Sequence, residues 1–276
     1  NPDDAVFTLL ESVSTNGYIL LMPDYIGFGS TSDIVHPYFD KESTVRAVTD
    51  LLDAFGELSS SGKIQATGND TLYLMGYSQG GGATMSVFEA LENNNTSGLF
   101  INAVSCGAGA YDLTDMAQYV FNQTSFPSPL YFPYFIYSQK KMGTITGDLG
   151  LFFQEPFASV IPDLFDGLHS SGSINASLSE NISELFTSHL TTDFAIHADF
   201  AQLRSALEEN STDGWNTDTR LRLYHGTADL LVPKKQSVDI YNRFIDAGSD
   251  PGTVQLFLPD GLTHETALIP WGIATI

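Results

Sequence analysis
Basic residues and cysteine are what this sequence has least of. Lys and Arg number 11 against 33 Asp and Glu, a formal net charge of -22 with a pI near 4.2. A surface of that sign repels phosphate backbones and anionic headgroups, which makes nucleic acid and acidic lipid surfaces poor partners, so no nucleic-acid partner is expected. The single cysteine, Cys106, excludes an intrachain disulfide, and its Ala-Val-Ser-Cys-Gly-Ala setting marks it as a small core residue. No apolar run approaches the length of a membrane-spanning helix, so no transmembrane segment is expected. Internal repeats and low-complexity tracts are absent as well. None of the six histidines forms a metal-ligand pattern with cysteines or with a second histidine at helical spacing, so the reading includes neither a metal nor a cofactor.

What is present is enough chain, 276 residues at 42% hydrophobic, for one large α/β domain or two small ones. Charged residues make up only 16%, so Ser, Thr and Asn fill the polar surface, a balance that suits an extracytoplasmic or secreted protein. Asn-x-Ser/Thr sequons at Asn69, Asn94, Asn95, Asn122, Asn175, Asn181 and Asn210 agree with export but arise freely in such a composition. The opening Asn1-Pro2-Asp3-Asp4 carries neither an initiator methionine nor a signal peptide, which implies processing, truncation or residues upstream.

Along the chain, apolar runs closed by turn residues alternate with amphipathic stretches. Residues 17–24 (Gly-Tyr-Ile-Leu-Leu-Met-Pro-Asp) read as a central parallel strand, Ser43 to Leu58 as an amphipathic helix, and 71–75 as a second strand. A helix from about Gly82 follows, then strands at 100–105, 221–225 and 253–258. This alternation predicts an α/β class with a mostly parallel sheet. Between Asp112 and about Leu207 it breaks down into an aromatic and proline-dense segment (126–137) and several short helices. The expected organisation is therefore a core of 1–111 and 208–276 with an inserted cap at 112–207.

The chemistry begins at Gly76-Tyr77-Ser78-Gln79-Gly80, directly after the 71–75 strand and directly before a helix. Gly-x-Ser-x-Gly in that setting is a nucleophile elbow, a tight turn that projects the serine hydroxyl. A serine is a weak nucleophile near neutral pH, so it needs a base in hydrogen-bond reach and a carboxylate to orient that base. Asp229 follows the 221–225 strand in His225-Gly-Thr-Ala-Asp-Leu-Leu-Val-Pro, with Asp112 and Asp260 as alternatives. His264 follows the 253–258 strand in Pro259-Asp-Gly-Leu-Thr-His. An oxyanion hole needs at least two donors. The Gln79 backbone N–H supplies one; the second comes from an upstream loop or from the turn at Asp24-Tyr25-Ile26-Gly27-Phe28-Gly29, through Asp24 or Tyr25.

Taken in order, Gly-Tyr-Ser-Gln-Gly-Gly, Pro-Asp-Tyr-Ile-Gly-Phe-Gly-Ser, His36-Pro-Tyr, His-Gly-Thr-Ala-Asp-Leu-Leu-Val-Pro and Gly-Leu-Thr-His resemble the α/β-hydrolases. Within them the chain is most similar to the secreted lipase and esterase group around Candida antarctica lipase A, over roughly residues 15 to 270. The resemblance implies an α/β-hydrolase fold, a Ser78, His264, Asp229 triad, a helical lid over an acyl-binding pocket, no cofactor, and Asp24 as an oxyanion-hole contributor. It also implies a strand between 18–22 and 71–75 that this sequence does not contain, so upstream strands are expected. The activity expected is hydrolysis of a small-molecule or lipid ester by a lipase or carboxylesterase. A prolyl-oligopeptidase-type serine peptidase and a non-catalytic binding module on the same fold are the alternatives.

Overall fold
The computed structural model describes residues 2–93 and 98–276; Asn1 and the sequons at Asn94 and Asn95 lie outside the described residues. Helices α1 (Pro2–Thr15) and α2 (Lys41–Ser60) precede strand β1 (Thr71–Tyr77), helix α3 (Gln79–Asn93) and strand β2 (Phe100–Gly107). Seven helices follow: α4 (Leu113–Phe121), α5 (Tyr131–Met142), α6 (Phe157–Leu164), α7 (Ser171–Ser177), α8 (Ile182–Leu185), α9 (Ser188–Asp193) and α10 (Ala201–Glu209). The chain then returns through β3 (Arg220–Tyr224), α11 (Lys235–Asp246), β4 (Val254–Phe257) and α12 (His264–Thr275). Two compact units result, one of residues 1–23, 44–111 and 212–276, the other of 24–43 and 112–211.

In the first unit the four strands form one parallel sheet in the order β1-β2-β3-β4. Both faces are apolar, as a sheet covered by helices requires. Leu72, Leu74, Val104, Cys106, Leu221 and Leu223 pack with Phe88 of α3 and Ile240 and Phe244 of α11. Met75, Tyr77 and Tyr224 pack with Ala267 and Trp271 of α12. Glu92, near the end of α3, ties the helix to the segment before β3: its carboxylate accepts from Trp215 Nε1 (2.5 Å), Thr217 Oγ1 (2.7 Å) and Thr219 Oγ1 (2.6 Å).

One expected strand does not form. Residues 18–25 have no strand assignment and do not pair with β1, which borders only β2. Tyr18 reaches β1 only through its ring, edge-on to Tyr73 at 5.4 Å, and Tyr18, Ile19 and Met22 are exposed. The physical reason is that an apolar sequence favours extended backbone but becomes a strand only when a neighbouring backbone completes the ladder. Among the described residues no strand is paired with 18–22.

The second unit has helices and isolated bridges only, at Ser125 with Asn181 and Phe153 with Phe186. Its core is aromatic: the Phe121 ring lies 4.9 Å from Phe132, 5.4 Å from Phe186 and 5.3 Å from Phe194. This accounts for most of the aromatic density at 126–137, where Phe126, Phe132, Phe135, Ile136 and Tyr137 are buried. Those side chains belong to the interior of their own unit, so they say little about an acyl-binding surface.

Candidate active site
Ser78 sits between β1 and α3 with φ of 58°, the left-handed region that non-glycine residues seldom occupy. Its N–H donates to Gly107 O (2.8 Å), and its own carbonyl accepts from the Gly81 (2.9 Å) and Gly82 (3.3 Å) N–H groups. The turn is therefore fastened to the end of β2 and to the first turn of α3. The two motif glycines differ in what they do. A Cβ on Gly76 would overlap the Gly80 carbonyl and the Thr84 hydroxyl, whereas one on Gly80 would meet nothing within 4 Å. Gly81 lets α3 settle on β2, since a Cβ there would come within 2.7 Å of Gly107 O.

His264 is the first residue of α12. Thr263 caps that helix through a reciprocal pair, its Oγ1 accepting from Thr266 N and the Thr266 hydroxyl accepting from Thr263 N. The Tyr77 hydroxyl donates to His264 O at 2.6 Å. Gly226 allows the loop after β3 to touch the loop after β4, because any Cβ there would overlap Leu262 O. The two loops are joined by Ala228 N to Leu262 O (3.0 Å), Thr227 N to Pro259 O (3.1 Å) and Thr227 Oγ1 to Asp260 Oδ1 (2.9 Å).

These constraints bring three side chains from three strand ends into one relay. His264 Nε2 lies 2.8 Å from Ser78 Oγ, and His264 Nδ1 lies 2.6 Å from Asp229 Oδ2. With Nδ1–H donating to the carboxylate, Nε2 presents its lone pair to the serine hydroxyl. The alternative acids are occupied elsewhere: Asp260 holds Thr227, and Asp112 caps α4 by accepting from Asp115 N at 2.9 Å.

Asp229 is more elaborately held than the motif suggested. Its Oδ1 accepts from the Leu231 and Val232 N–H groups, both at 2.9 Å, and its Oδ2 lies 3.2 Å from His225 Nε2. His225 is fully buried, with Nδ1 at 2.8 Å from Ser237 Oγ and Nε2 at 2.8 Å from Val232 O. The sequence motif places His225 four residues before Asp229 but does not by itself give this second contact with the carboxylate. Gln79 opens α3, where backbone donors and the helix dipole favour negative charge. Asp24 and Tyr25 belong to the second unit, where Asp24 Oδ2 faces Gly29 and the Tyr25 ring stacks on His36 at 5.9 Å. Desolvation raises the Tyr25 phenol above its ordinary range, which keeps it a neutral donor.

A parallel sheet whose strand ends carry a strained serine, a histidine and an aspartate, in that spatial relay, has clear structural relatives. The chain superposes on a hydrolase candidate from Legionella pneumophila at 25% identity and TM-score 0.83, over 94% of this chain and 68% of that one. The fold is that of the α/β-hydrolases. Other solved structures sharing this fold are the rice cell wall degrading esterase LipA from Xanthomonas oryzae (23% identity, TM-score 0.75, 91% of this chain and 66% of that one) and Candida antarctica lipase A in its closed state (13%, 0.59, 84% and 52%). The chain thus spans about two thirds of the first two and about half of the third. No family model and no curated protein matches the sequence.

Within this α/β-hydrolase frame the acid has a defined titration signature. Burial alone would push the Asp229 carboxyl up, but hydrogen bonds from His225 and His264, the charge of His264 and the Val232 N–H outweigh it and hold the group at about 2. A carboxyl depressed on folding stabilises the native state fully above its unfolded value of about 3.9, and that contribution is lost as pH falls toward 2. The expected size is about 2 kcal/mol. In chemical denaturation across that acid range, Asp229→Asn should be less stable than the parent near neutrality, with the difference shrinking as the parent carboxyl protonates. A difference that stays constant down to the acid limit would contradict this.

Proposed function
We propose that the protein is a serine ester hydrolase, a lipase or carboxylesterase with Ser78, His264 and Asp229 as its triad. The observation that carries this reading is the unbroken relay of 2.8 and 2.6 Å from a hydroxyl held on a strained turn to a buried carboxylate. Ser78 Oγ attacks the ester carbonyl carbon while its proton passes to His264 Nε2, and Asp229 stabilises the imidazolium that forms. The tetrahedral oxyanion collapses, the C–O bond to the alcohol breaks, and the alcohol leaves with the proton from His264. Water then attacks the acyl-enzyme with His264 again as base, releasing the carboxylic acid and restoring the serine. The residues of this scheme supply every proton transfer, so it calls on no cofactor.

The substrate side of the proposal is a small-molecule or lipid ester, and an acidic, lysine-poor surface favours a neutral one and an extracytoplasmic setting. No described helix is long and apolar enough to cross a membrane. Residues 112–207 act in this reading as a lid. The decisive comparison is turnover of p-nitrophenyl esters against peptide anilides, together with labelling by a fluorophosphonate. Ester turnover with one label per chain supports the hydrolase; anilide preference would point to a peptidase, and a folded protein that takes no label to a binding module.

In this reading the Gln79 N–H is one oxyanion donor, and Asp24 and Tyr25 are the residues that the sequence puts forward for the second. Losing one such donor typically lowers kcat by about 10²- to 10³-fold. Tyr25→Phe, which removes a hydroxyl able to donate, is expected to show that loss in kcat with KM little changed, whereas Asp24→Ala should keep kcat, because a carboxylate accepts and the Asp24 backbone N–H survives the substitution. If both variants keep full kcat, neither side chain is the second donor.

A further inference from the structure
Away from the relay, in the second unit, two histidines converge on one carboxylate. His189 Nε2 lies 3.1 Å from Asp199 Oδ2, His197 Nδ1 lies 3.4 Å from the same oxygen, and one ligand atom from each residue falls within 4.8 Å of the others. We propose that His189, His197 and Asp199 form a binding site for a zinc-class divalent cation.

The spacing is what a coordination sphere asks for. Nitrogen and oxygen ligands bound to zinc at about 2.0–2.1 Å in tetrahedral arrangement stand roughly 3.3 Å apart. The two nitrogen-to-oxygen separations bracket that value, and the edge between the two imidazole nitrogens, within 4.8 Å, is the one an ion would draw in. The Asp199 N–H donates to His197 Nδ1 over 3.3 Å, a long bond that a cation on that nitrogen would replace.

The surroundings orient the ligands before any ion arrives. Asp193 Oδ2 sits 3.0 Å from His189 Nδ1, the carboxylate-to-histidine arrangement that fixes a ligating ring and points its other nitrogen at the metal. The His189 ring packs on Phe200 at 4.7 Å and on His197 at 4.5 Å, and Phe200 is fully buried. Arg204 Nη1 donates to Phe194 O (2.5 Å) and His197 O (2.9 Å), and His197 N donates to Asp193 O (2.9 Å), which braces the short stretch carrying all three ligands.

The donor set also selects the ion. Two imidazoles with one carboxylate suit zinc and its transition-metal neighbours, whereas magnesium and calcium favour oxygen alone. The side chains of His197 and Asp199 are about half exposed, which leaves water access to a fourth position. Bound there, a cation would clip α9 to the turn that precedes α10. The simpler occupant is a proton: His189 between Asp193 and Asp199 is favoured as imidazolium by hydrogen bonds to both. His197 is placed by capping the 198–200 turn, its Nδ1 accepting from Asp199 N at 3.3 Å, so ion binding itself separates the two readings.

Zinc chloride titrated calorimetrically into the chelator-treated full chain, above the imidazole titration range, tests the proposal. The expected result is one zinc per chain, a rise in Tm reversed by chelator, and no response to magnesium or calcium. His189→Gln and Asp199→Asn should each weaken zinc binding at least about tenfold while folding normally, judged by far-UV circular dichroism. His197→Asn, which keeps a capping side chain for the following turn, should do the same, and His169→Gln should leave binding unchanged. Failure of the parent chain to bind zinc one to one, or binding that survives the ligand substitutions, would overturn the assignment in favour of the protonated histidine.

Discussion

Ser78→Ala is expected to lower ester turnover by roughly 10⁵- to 10⁶-fold and to abolish fluorophosphonate labelling, with little change in fold. The size follows from how a nucleophile and its base act as a unit, since removing one member costs about as much as removing both. The local geometry makes the test clean. Alanine at φ of 58° is as strained as serine, so the substitution neither relieves nor adds backbone strain at the elbow. The fastening bonds to Gly107, Gly81 and Gly82 use only backbone atoms of residue 78 and survive. What disappears is the oxygen 2.8 Å from His264 Nε2. Steady-state kinetics with a p-nitrophenyl ester and intact-mass measurement of the label give the two readouts. A variant that keeps a tenth of the parent kcat would mean that another group carries the reaction.

The second large effect separates the two glycines of the elbow motif. Gly76→Ala forces a methyl group into the Gly80 carbonyl and the Thr84 hydroxyl, and the first of these is backbone that can yield only by moving α3 or the turn. Overpacking of this kind costs about 1–3 kcal/mol. A displacement of the nucleophile by about 1 Å costs on the order of 10²-fold in rate even where the fold survives. Gly80→Ala meets open space, and within a helix alanine is favoured over glycine by roughly 1 kcal/mol, so its Tm should hold or rise. Thermal denaturation and kcat on the matched pair check both halves. Equal tolerance of the two substitutions would show that the strand-to-helix approach is looser than the geometry indicates.

How much of this was legible in the sequence depends on whether the determinant is local. The elbow could be read because a strand, two flanking glycines and a helix sit within about twenty residues, and each leaves a mark in composition. Asp229 and His264 could be read because each lies just past an apolar strand run. The segment 17–24 misled for the opposite reason. Its apolarity is a statement about burial, and strand formation needs a partner backbone that pattern alone cannot supply. The aromatic run at 126–137 could be seen in the sequence, but that Phe126, Phe132, Phe135 and Tyr137 are buried depends on contacts distant along the chain. The convergence of His189, His197 and Asp199 was not legible because it depends on the path of the chain between α9 and α10, so that no single helix or strand carries all three.

The relay also sets an order in time. Ser78 and His264 are 186 residues apart in sequence, and the histidine opens the last helix described. During synthesis Ser78 emerges before His264, and until the histidine arrives it remains an ordinary alcohol. It gains its base only when β4 has joined the sheet and α12 has packed its Trp271 against Tyr77. Closing so long a loop is a late and cooperative event. In the proposed reading a chain whose β4 and α12 are not yet in place holds Ser78 without its base, so fluorophosphonate labelling reports that both have docked.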